Sequence, residues 1–189
     1  MQKKTICVVG LGYIGLPTAA LLSNRGYQVY GVDVVQNVVD TINKGQIHIV
    51  EPELDIYVKA AVNTRRLVAD TKPKEADVFI IAVPTPFHEG YIPNIDYVIS
   101  ATKSIVPYVR EGNVVILEST SPVGTTEKIE EILRTSGIDT TKIYIAHCPE
   151  RVLPGKIMKE LVENDRIVGG LTPEATKVVA EFYREFVQD

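Results

Sequence analysis

The chain has 189 residues, of which 45% are hydrophobic and 23% are charged, so it is long enough and apolar enough to bury one substantial core. A formal net charge of −4 argues against a nucleic-acid-binding or membrane-binding surface. Two cysteines and three scattered histidines provide neither a disulfide framework nor the spacing of a metal site, so we expect no bound metal. No apolar run has the length of a signal-peptide core or of a membrane span, which indicates a cytoplasmic protein.

The opening stretch predicts a strand, a tight turn and a helix. Residues 5–9 are a β-branched apolar run, and Gly10, Gly12 and Gly15 follow in the spacing G-x-G-x-x-G. Gly10 allows the turn, Gly12 lets backbone amides approach a pyrophosphate, and Gly15 lets the helix lie close to the strand. The free N–H groups at the start of the helix would then face the phosphates. The alternative is a turn with a purely steric role that holds no ligand.

The second predicted strand, residues 28–32, is followed at once by an acid. This residue, Asp33, lies eighteen positions after Gly15, close to the spacing of the carboxylate that holds an adenosine ribose. A carboxylate accepts hydrogen bonds from a 2′-hydroxyl and repels a 2′-phosphate, and residues 34–37 include no Arg or Lys. The strand, turn, helix and acid agree with one another, so we predict a site for NAD rather than NADP.

The rest of the chain continues the alternation of helices and strands. Residues 95–109 are predicted as a helix with Asp96 as N-cap candidate, and the last helix opens with Thr172 as N-cap and Pro173 at its first position. Two mononucleotide-binding halves predict an α/β, Rossmann-type doubly wound parallel sheet with six main strands in the order 3-2-1-4-5-6, in one domain over 1–189. The other predicted helices cover about 36–44, 52–61, 125–136, 156–163 and 173–187, and the other strands 66–69, 78–83, 113–117, 142–146 and 166–168.

Polar or rigid turns follow three of these strands on the edge where such a sheet binds ligands. Val83, Pro84 and Thr85 form a stiff turn that would offer a hydroxyl to the cofactor, unless it is only a proline-stiffened loop. A later cluster of hydroxyls suits the nicotinamide end, or else caps the following helix: Ser119, Thr120, Thr125 and Thr126. Glu150 and Arg151 lie between two prolines after the sixth strand, which favours an acid and a base beside the nicotinamide over a surface ion pair.

Taken together, these motifs resemble the nucleotide-sugar 6-dehydrogenases, the UDP-glucose and GDP-mannose dehydrogenase family. The resemblance rests on GLGYIGLP, the strand end at Asp33, AVPTP, ESTSPVGTT and CPE, in the expected order through essentially the whole chain. Within the family, IHIVEPEL, ILESTSPVGTTEK and CPERVLPGKIMKELVENDRIVGG are most similar to the UDP-N-acetyl-D-mannosamine dehydrogenase branch. The UDP-glucose branch usually has a second glutamate where this chain has Pro154.

The resemblance implies an enzyme that oxidises C6 of a UDP-sugar twice, from alcohol to carboxylate, while two NAD are reduced. A cysteine captures the intermediate aldehyde, and water hydrolyses the resulting thioester. Thr120 and Glu150 match residues that position water or assist proton transfer, and Arg151 and Val152 match residues that line the sugar-nucleotide site. Cofactor contacts are implied for Tyr13, Ile14, Asp33, Thr85 and Thr126.

Several parts of the family pattern have no match in this chain: the lysine and asparagine of the central helix, the nucleophilic cysteine and the UDP-binding domain. Cys7 lies in the first strand and Cys148 lies outside the nucleophile motif, so neither replaces that cysteine. We therefore expect a domain that binds NAD and is inactive alone. In the family, the full-length enzyme is a homodimer formed largely through the central helix; this chain could be monomeric or could pair through the apolar face of its last helix, at Val178, Val179, Phe182, Tyr183 and Phe186.

Several alternatives stay open at this point. The sugar could be UDP-N-acetylglucosamine or UDP-glucose, because most sugar contacts would lie in the unmatched part. A dinucleotide-binding module that regulates without chemistry would use the same crevice. A third alternative is a dehydrogenase of another group with a similar N-terminal half, such as the 3-hydroxyacid dehydrogenases. However, ESTSPVGTT and CPERVLPG are not motifs of that group.

Overall fold

A seven-stranded sheet forms the centre of the computed structural model, which describes residues 4–188. The strands lie in the order β3-β2-β1-β4-β5-β6-β7, and the first six are parallel, which confirms the predicted order 3-2-1-4-5-6. Their bounds are Thr5–Val9 (β1), Gln28–Val32 (β2), Leu67–Asp70 (β3), Val78–Ile81 (β4), Val114–Leu117 (β5), Tyr144–His147 (β6) and Gly169–Gly170 (β7).

The seventh strand differs from the prediction, which placed a strand at residues 166–168. Instead, β7 pairs antiparallel with β6, with Gly169 opposite His147 and Gly170 opposite Ala146. A Cβ on Gly170 would lie 2.3 Å from the backbone N of Thr176, so no larger residue fits there. Two glycines show no alternation of apolar and polar residues, so the sequence pattern does not mark them as a strand. The apolar residues just before them led the prediction to 166–168 instead.

Within the described residues, seven α-helices connect and cover the strands. Thr172 accepts a hydrogen bond from the N–H of Ala175 at 3.1 Å, which confirms it as an N-cap. Asp96 is not the cap of its helix but its first residue, and the side chain of Asn94 accepts a hydrogen bond from the Asp96 N–H at 2.8 Å. The helices are Gly15–Asn24 (α1), Gln36–Asn43 (α2), Leu54–Asn63 (α3), Asp96–Ile105 (α4), Thr125–Thr135 (α5), Ile157–Glu163 (α6) and Pro173–Arg184 (α7), with 3-10 turns at Glu89–Tyr91, Val106–Tyr108 and Thr140–Lys142 and a small hairpin of Phe87–His88 with Ile92–Pro93.

Helices pack on both faces of the sheet, as expected for a doubly wound fold. One core cluster joins the sheet to α1, α2, α3, α6 and α7, and the other joins it to α4 and α5. Every residue of β4 and of β5 is buried, because strands covered on both faces have no solvent side. The carboxyl ends of the six parallel strands consequently share one edge, where the predicted site residues cluster.

The apolar face of α7 is part of the core of this chain. Val179, Phe182, Tyr183 and Phe186 are buried, and the ring of Phe182 contacts that of Tyr27 at a centroid distance of 6.1 Å. Val178 is partly buried against the same cluster. The expectation that this face could be a pairing surface is therefore wrong. Helical periodicity identifies a buried stripe but does not say what buries it.

Candidate functional site

The glycine-rich turn joins β1 to α1 at the carboxyl edge of the sheet. Gly10 has φ +95°, and a Cβ there would lie 2.5 Å from the carbonyl oxygen of Ala82. A Cβ on Gly15 would lie 1.7 Å from the carbonyl oxygen of Gly10, so the helix approaches the strand as closely as the sequence predicts. A Cβ on Gly12 would meet no atom of residues 4–188 within 4 Å. Gly12 therefore faces open space, where a ligand can approach the backbone.

The first turn of α1 is suited to an anion. None of the described side chains caps this end of the helix, and its first turn contains no acidic residue. The N–H groups of Leu16 and Thr18 donate to the carbonyls of Gly12 and Ile14. The N–H of Gly15 and the positive end of the helix dipole are what this turn offers to a pyrophosphate. Tyr13 is 50% exposed beside this turn, and Ile14 immediately precedes the helix.

Asp33 is held in place by the backbone. Its Oδ2 accepts a hydrogen bond from the N–H of Leu11 at 3.2 Å, and its Oδ1 accepts one from the N–H of Val35 at 3.0 Å. A carboxylate oxygen has two lone pairs, so each oxygen can accept a further bond from a ribose hydroxyl. The side chain is thus fixed in orientation and still able to bind a ligand.

A cavity of about 430 Å³ lies beside Asp33 and has mainly apolar walls, which suits an adenine ring next to its ribose. Sequence reasoning identified four of its lining residues, Gly10, Asp33, Val83 and Pro84. The wall formed by α4 was missed, because its residues are distant in sequence and carry no motif. The remaining lining residues are Val9, Val32, Val34, Val35, Thr71, Pro73, Tyr97, Ser100, Ala101 and Ser104.

The turns that follow β4 and β5 are joined by two hydrogen bonds. The hydroxyl of Thr85 donates to the carbonyl of Thr120 at 2.5 Å, and the hydroxyl of Ser119 donates to the carbonyl of Val83 at 2.7 Å. These bonds bring Val83, Thr85, Ser119 and Thr120 together, as the sequence predicts. They also occupy the hydroxyl donors of Thr85 and Ser119, which leaves oxygen lone pairs for a ligand.

The cluster of hydroxyls does not cap α5. The N-cap is Gly124, with φ 92° and no side chain, and the hydroxyl of Thr125 donates to the carbonyl of Pro122 at 2.7 Å. Thr126 is buried in the first turn of the helix, and Thr120 is exposed. Ordinary helix capping is therefore not the role of these residues.

Glu150 lies after β6 and is paired with an arginine that the sequence analysis missed. Its side chain is 2% exposed, and its Oε2 forms an ion pair with Arg166, whose side chain is 6% exposed. Its Oε1 accepts a hydrogen bond from the backbone N–H of Arg151 at 2.8 Å. The Arg151 side chain is exposed and donates to the carbonyl of Asp165 at 3.0 Å. Glu150 and Arg151 are thus neighbours but not an ion pair, and Val152 is partly buried against the core.

A second buried acid, Glu118, follows β5 immediately. It is 1% exposed and accepts hydrogen bonds from the hydroxyls of Tyr183 at 2.7 Å and Thr18 at 3.3 Å. Burial raises the pKa of Glu118 to about 7; the cation of Arg166 opposes this shift and the negative charge of Glu150 adds to it. Its position directly after a buried strand is the signal that singled out the polar turns, and it could have identified Glu118 as well.

Glu51 fixes the loop that carries the predicted substrate residues. This buried carboxylate accepts hydrogen bonds from the N–H groups of Gly155 and Ile157, both at 2.8 Å. In the sequence, Glu51 stood out only as part of the family motif IHIVEPEL. The stretch has a physical role as well, because it anchors the loop that follows Arg151 and the start of α6.

Both cysteines are buried and free. Burial raises the pKa of the Cys7 thiol to about 11 and that of the Cys148 thiol to about 12. Neither thiol is ionised at neutral pH, so neither provides the thiolate that covalent catalysis requires.

Within 4–188, no cluster of three or more His, Cys, Asp or Glu side chains has the arrangement of a metal site. None of the helices in the same range combines the length and apolarity needed to cross a bilayer.

The residues at the carboxyl edge fit a dinucleotide. The open face of Gly12 and the uncapped start of α1 suit the pyrophosphate, Asp33 suits the adenosine ribose, and the adjoining cavity suits the adenine. The turns after β4, β5 and β6 lie on the same edge of the sheet.

Comparison with known proteins gives the same assignment. The family model described as "UDP-glucose/GDP-mannose dehydrogenase family, NAD binding domain" matches residues 4–187. The chain is 54% identical to the UDP-N-acetyl-D-mannosamine dehydrogenase of Campylobacter jejuni, over 99% of this chain and 48% of that protein. It is 50% identical to an NDP-N-acetyl-D-galactosaminuronic acid dehydrogenase of Ralstonia nicotianae, over 98% of this chain and 46% of that protein.

A solved structure agrees with the fold. The UDP-N-acetyl-mannosamine dehydrogenase of Staphylococcus aureus superposes with a TM-score of 0.93 at 42% identity, over 97% of this chain and 46% of that one. The chain therefore spans about half the length of the relatives it matches. It belongs to the UDP-glucose/GDP-mannose dehydrogenase family, as that family's NAD-binding domain.

Proposed function

We propose that the chain is the cofactor-binding half of an enzyme that oxidises UDP-N-acetyl-D-mannosamine twice, to UDP-N-acetyl-D-mannosaminuronate. The observation that carries this proposal is the shared edge of the sheet, where the glycine-rich turn and Asp33 are fixed beside polar turns. The choice of sugar is supported by relatives of 54% and 52% identity that bear the name of that dehydrogenase. Bound NAD supplies the hydride acceptor for each oxidation.

Each predicted site residue has a role in this proposal. Thr120 and Glu150 assist proton transfer or position water at the nicotinamide end, since both lie in turns at the carboxyl edge. The exposed side chain of Arg151 and the half-buried Val152 contribute to the sugar-nucleotide site. The proposed cofactor contacts are Gly10, Gly12, Tyr13, Ile14, Gly15, Asp33, Val83, Pro84, Thr85, Ser119 and Thr126.

Residues 1–189 act as one NAD-binding domain that is inactive alone. The central helix, the segment with the nucleophilic cysteine and the UDP-binding domain belong to the other half of the enzyme, which we expect to be a homodimer. The two free, buried thiols fit a reducing compartment, so we assign the reaction to the cytoplasm. Without a thiolate, the second oxidation has no covalent route within this chain.

Two measurements test the proposal. Calorimetry on the 189-residue chain should detect binding of NAD and much weaker binding of NADP. Adding NAD and UDP-N-acetylmannosamine to the chain should give no NADH absorbance, whereas the full-length enzyme should give two NADH for each sugar. Steady turnover by the chain alone would refute its inactivity, and failure to bind NAD would refute the cofactor assignment.

The identity of the sugar needs its own comparison. A relative of 50% identity is named for an N-acetyl-galactosaminuronic acid, so identity at this level does not distinguish one amino sugar from another. The full-length enzyme should therefore be assayed with UDP-N-acetylmannosamine, UDP-N-acetylglucosamine, UDP-N-acetylgalactosamine and UDP-glucose. We expect the highest kcat/KM with the mannosamine derivative. If no UDP-sugar is oxidised while NAD binds, the alternative of a regulatory NAD-binding module gains support.

A further inference from the structure

A cluster of charged side chains is buried beneath the carboxyl ends of β5 and β6. It consists of two acids and one base: Glu118, Glu150 and Arg166. Each acid or base has a side chain at least nine-tenths buried. Burial of charges at this density is costly unless each group is paired, so the arrangement calls for an explanation beyond stability.

Arg166 is fixed from three directions. One terminal nitrogen pairs with Glu150, the other donates to the carbonyl of Leu161 at 2.9 Å, and the guanidinium lies 5.3 Å from the ring centre of Tyr183. The other carboxylate oxygen of Glu150 accepts a hydrogen bond from the backbone N–H of Arg151. Because both oxygens are bound, the Glu150 side chain is held in a single orientation. Arg166 lies outside the predicted substrate loop, and its ion pair with Glu150 connects it to the residue that precedes Arg151.

One guanidinium cannot neutralise two ionised acids. The backbone N–H of Glu150 donates to the carbonyl of Glu118 at 3.1 Å, so the two acids lie on adjacent segments of the sheet edge. Glu118 is surrounded by Thr18 from α1, Tyr183 from α7, Cys148 and Glu150 after β6, and Arg166 before β7. Of these groups only Arg166 is a cation. A proton on one acid balances the charge, and burial favours that proton on Glu118, although the hydrogen bonds from Tyr183 and Thr18 lower the pKa of this acid.

We propose that Arg166 is a positioning residue that holds Glu150 for the reaction, and that Glu118 is the neutral partner whose ionisation would compete for Arg166. The proposal rests on the function assigned to Glu150 above. It implies that deprotonation of Glu118 weakens the hold of Arg166 on Glu150. Loss of activity on the alkaline side of the pH profile of kcat is the expected consequence.

The test uses the full-length enzyme and its pH profile. Arg166→Gln should lower kcat about 100-fold, because Glu150 would no longer be held in place and a misplaced catalytic group reduces the rate by about that factor. The affinity for NAD should stay the same. Arg166→Lys should recover part of the loss by restoring the charge. Lys159→Gln is the matched control, since it removes an exposed cation that pairs with Glu163 on α6, and kcat should not change. Glu118→Gln should remove the alkaline decline in kcat or move it to higher pH.

Each outcome bears on the proposal. A kcat of Arg166→Gln within twofold of the wild type would overturn the role of Arg166. An alkaline decline in Glu118→Gln identical to that of the wild type would overturn the role of Glu118. If Arg166→Gln does not fold, Arg166→Lys and Glu118→Gln decide the question, because both keep the size and polarity of the site. A wild-type enzyme that oxidises no UDP-sugar would instead refute the proposed function.

Discussion

Gly15 contacts Gly10 so closely that a single added carbon at Gly15 would lie 1.7 Å from the Gly10 carbonyl oxygen. This contact sets the distance between the first strand and the helix whose N-terminus is available to phosphate. The glycines of the turn are therefore of two kinds. Gly10 and Gly15 are required by close backbone packing, whereas Gly12 leaves space for a ligand.

Substitution of these glycines should separate stability from binding. Gly15→Ala should lower the free energy of unfolding by about 3 kcal/mol, because a backbone carbonyl cannot move aside easily. Gly12→Ala should change it by less than about 0.5 kcal/mol, since its Cβ would meet no atom of the part of the chain that the structure describes, yet it should weaken NAD binding about tenfold or more. Urea denaturation and calorimetry on the chain measure both quantities. Unchanged NAD affinity in a folded Gly12→Ala protein would contradict the assignment of Gly12 to the pyrophosphate.

Asp33 should control the choice between NAD and NADP. Asp33→Asn keeps the shape of the side chain but removes the charge, so it should weaken NAD binding about tenfold and reduce the preference over NADP. Asp40→Asn on α2 is the matched control, since Asp40 is exposed and bonds only to Gln36 at 2.8 Å among the described residues. Calorimetric titration of both variants with both dinucleotides gives the comparison. An equal loss in the two variants would indicate a general electrostatic effect and not a ribose contact.

Glu118 should make the stability of the chain depend on pH. Its pKa rises from 4.5 to about 7 in the folded protein, so the folded state binds a proton more tightly than the unfolded state. Its contribution to stability is therefore complete below pH 4.5 and is lost as the pH rises to about 7. At one pKa unit per 1.4 kcal/mol, the loss is at most about 3 kcal/mol. Glu118→Gln does not titrate, so the difference in unfolding free energy between wild type and variant should change over this range and be constant above it.

The two thiols should be unreactive in the native chain. Because burial raises the pKa of both Cys7 and Cys148 well above neutral, iodoacetamide should modify neither at pH 7, while both should react after unfolding in urea. Mass spectrometry of the modified protein counts the labelled sites. Rapid labelling of Cys148 in the folded chain would mean that a thiolate is available beside the crevice, and the predicted inactivity would lose its physical basis.

Loss of Glu51 should loosen the loop that precedes α6. Glu51→Gln replaces a carboxylate that accepts two backbone hydrogen bonds, and it should cost about 2 kcal/mol of stability. Hydrogen exchange at Gly155 and Ile157 should accelerate more than exchange in β4. Uniform acceleration across the sheet would instead indicate general destabilisation.

Local spacing explains which parts were predictable from sequence. The turn at Gly10 and the acid at Asp33 follow their strands directly, so their positions are set by the fold once the strands are recognised. The partners of the buried acids are not local: Arg166 is 16 residues from Glu150, and Tyr183 is 65 residues from Glu118. No pattern of one sequence connects such pairs. The face of α7 was misassigned for a related reason, because its periodicity is the same whether its own core or another subunit covers it.

The glycine pair of β7 covers an edge of the sheet. The parallel part of the sheet would otherwise end at β6 with a row of unpaired backbone groups, and such a margin can recruit an extended segment of another molecule. An antiparallel strand of only two residues, with no room for a side chain at Gly170, occupies that margin. Protection from aggregation is therefore built into the chain at the place where the N–H of Gly170 donates to the hydroxyl of Thr176, in the first turn of α7, at 2.9 Å.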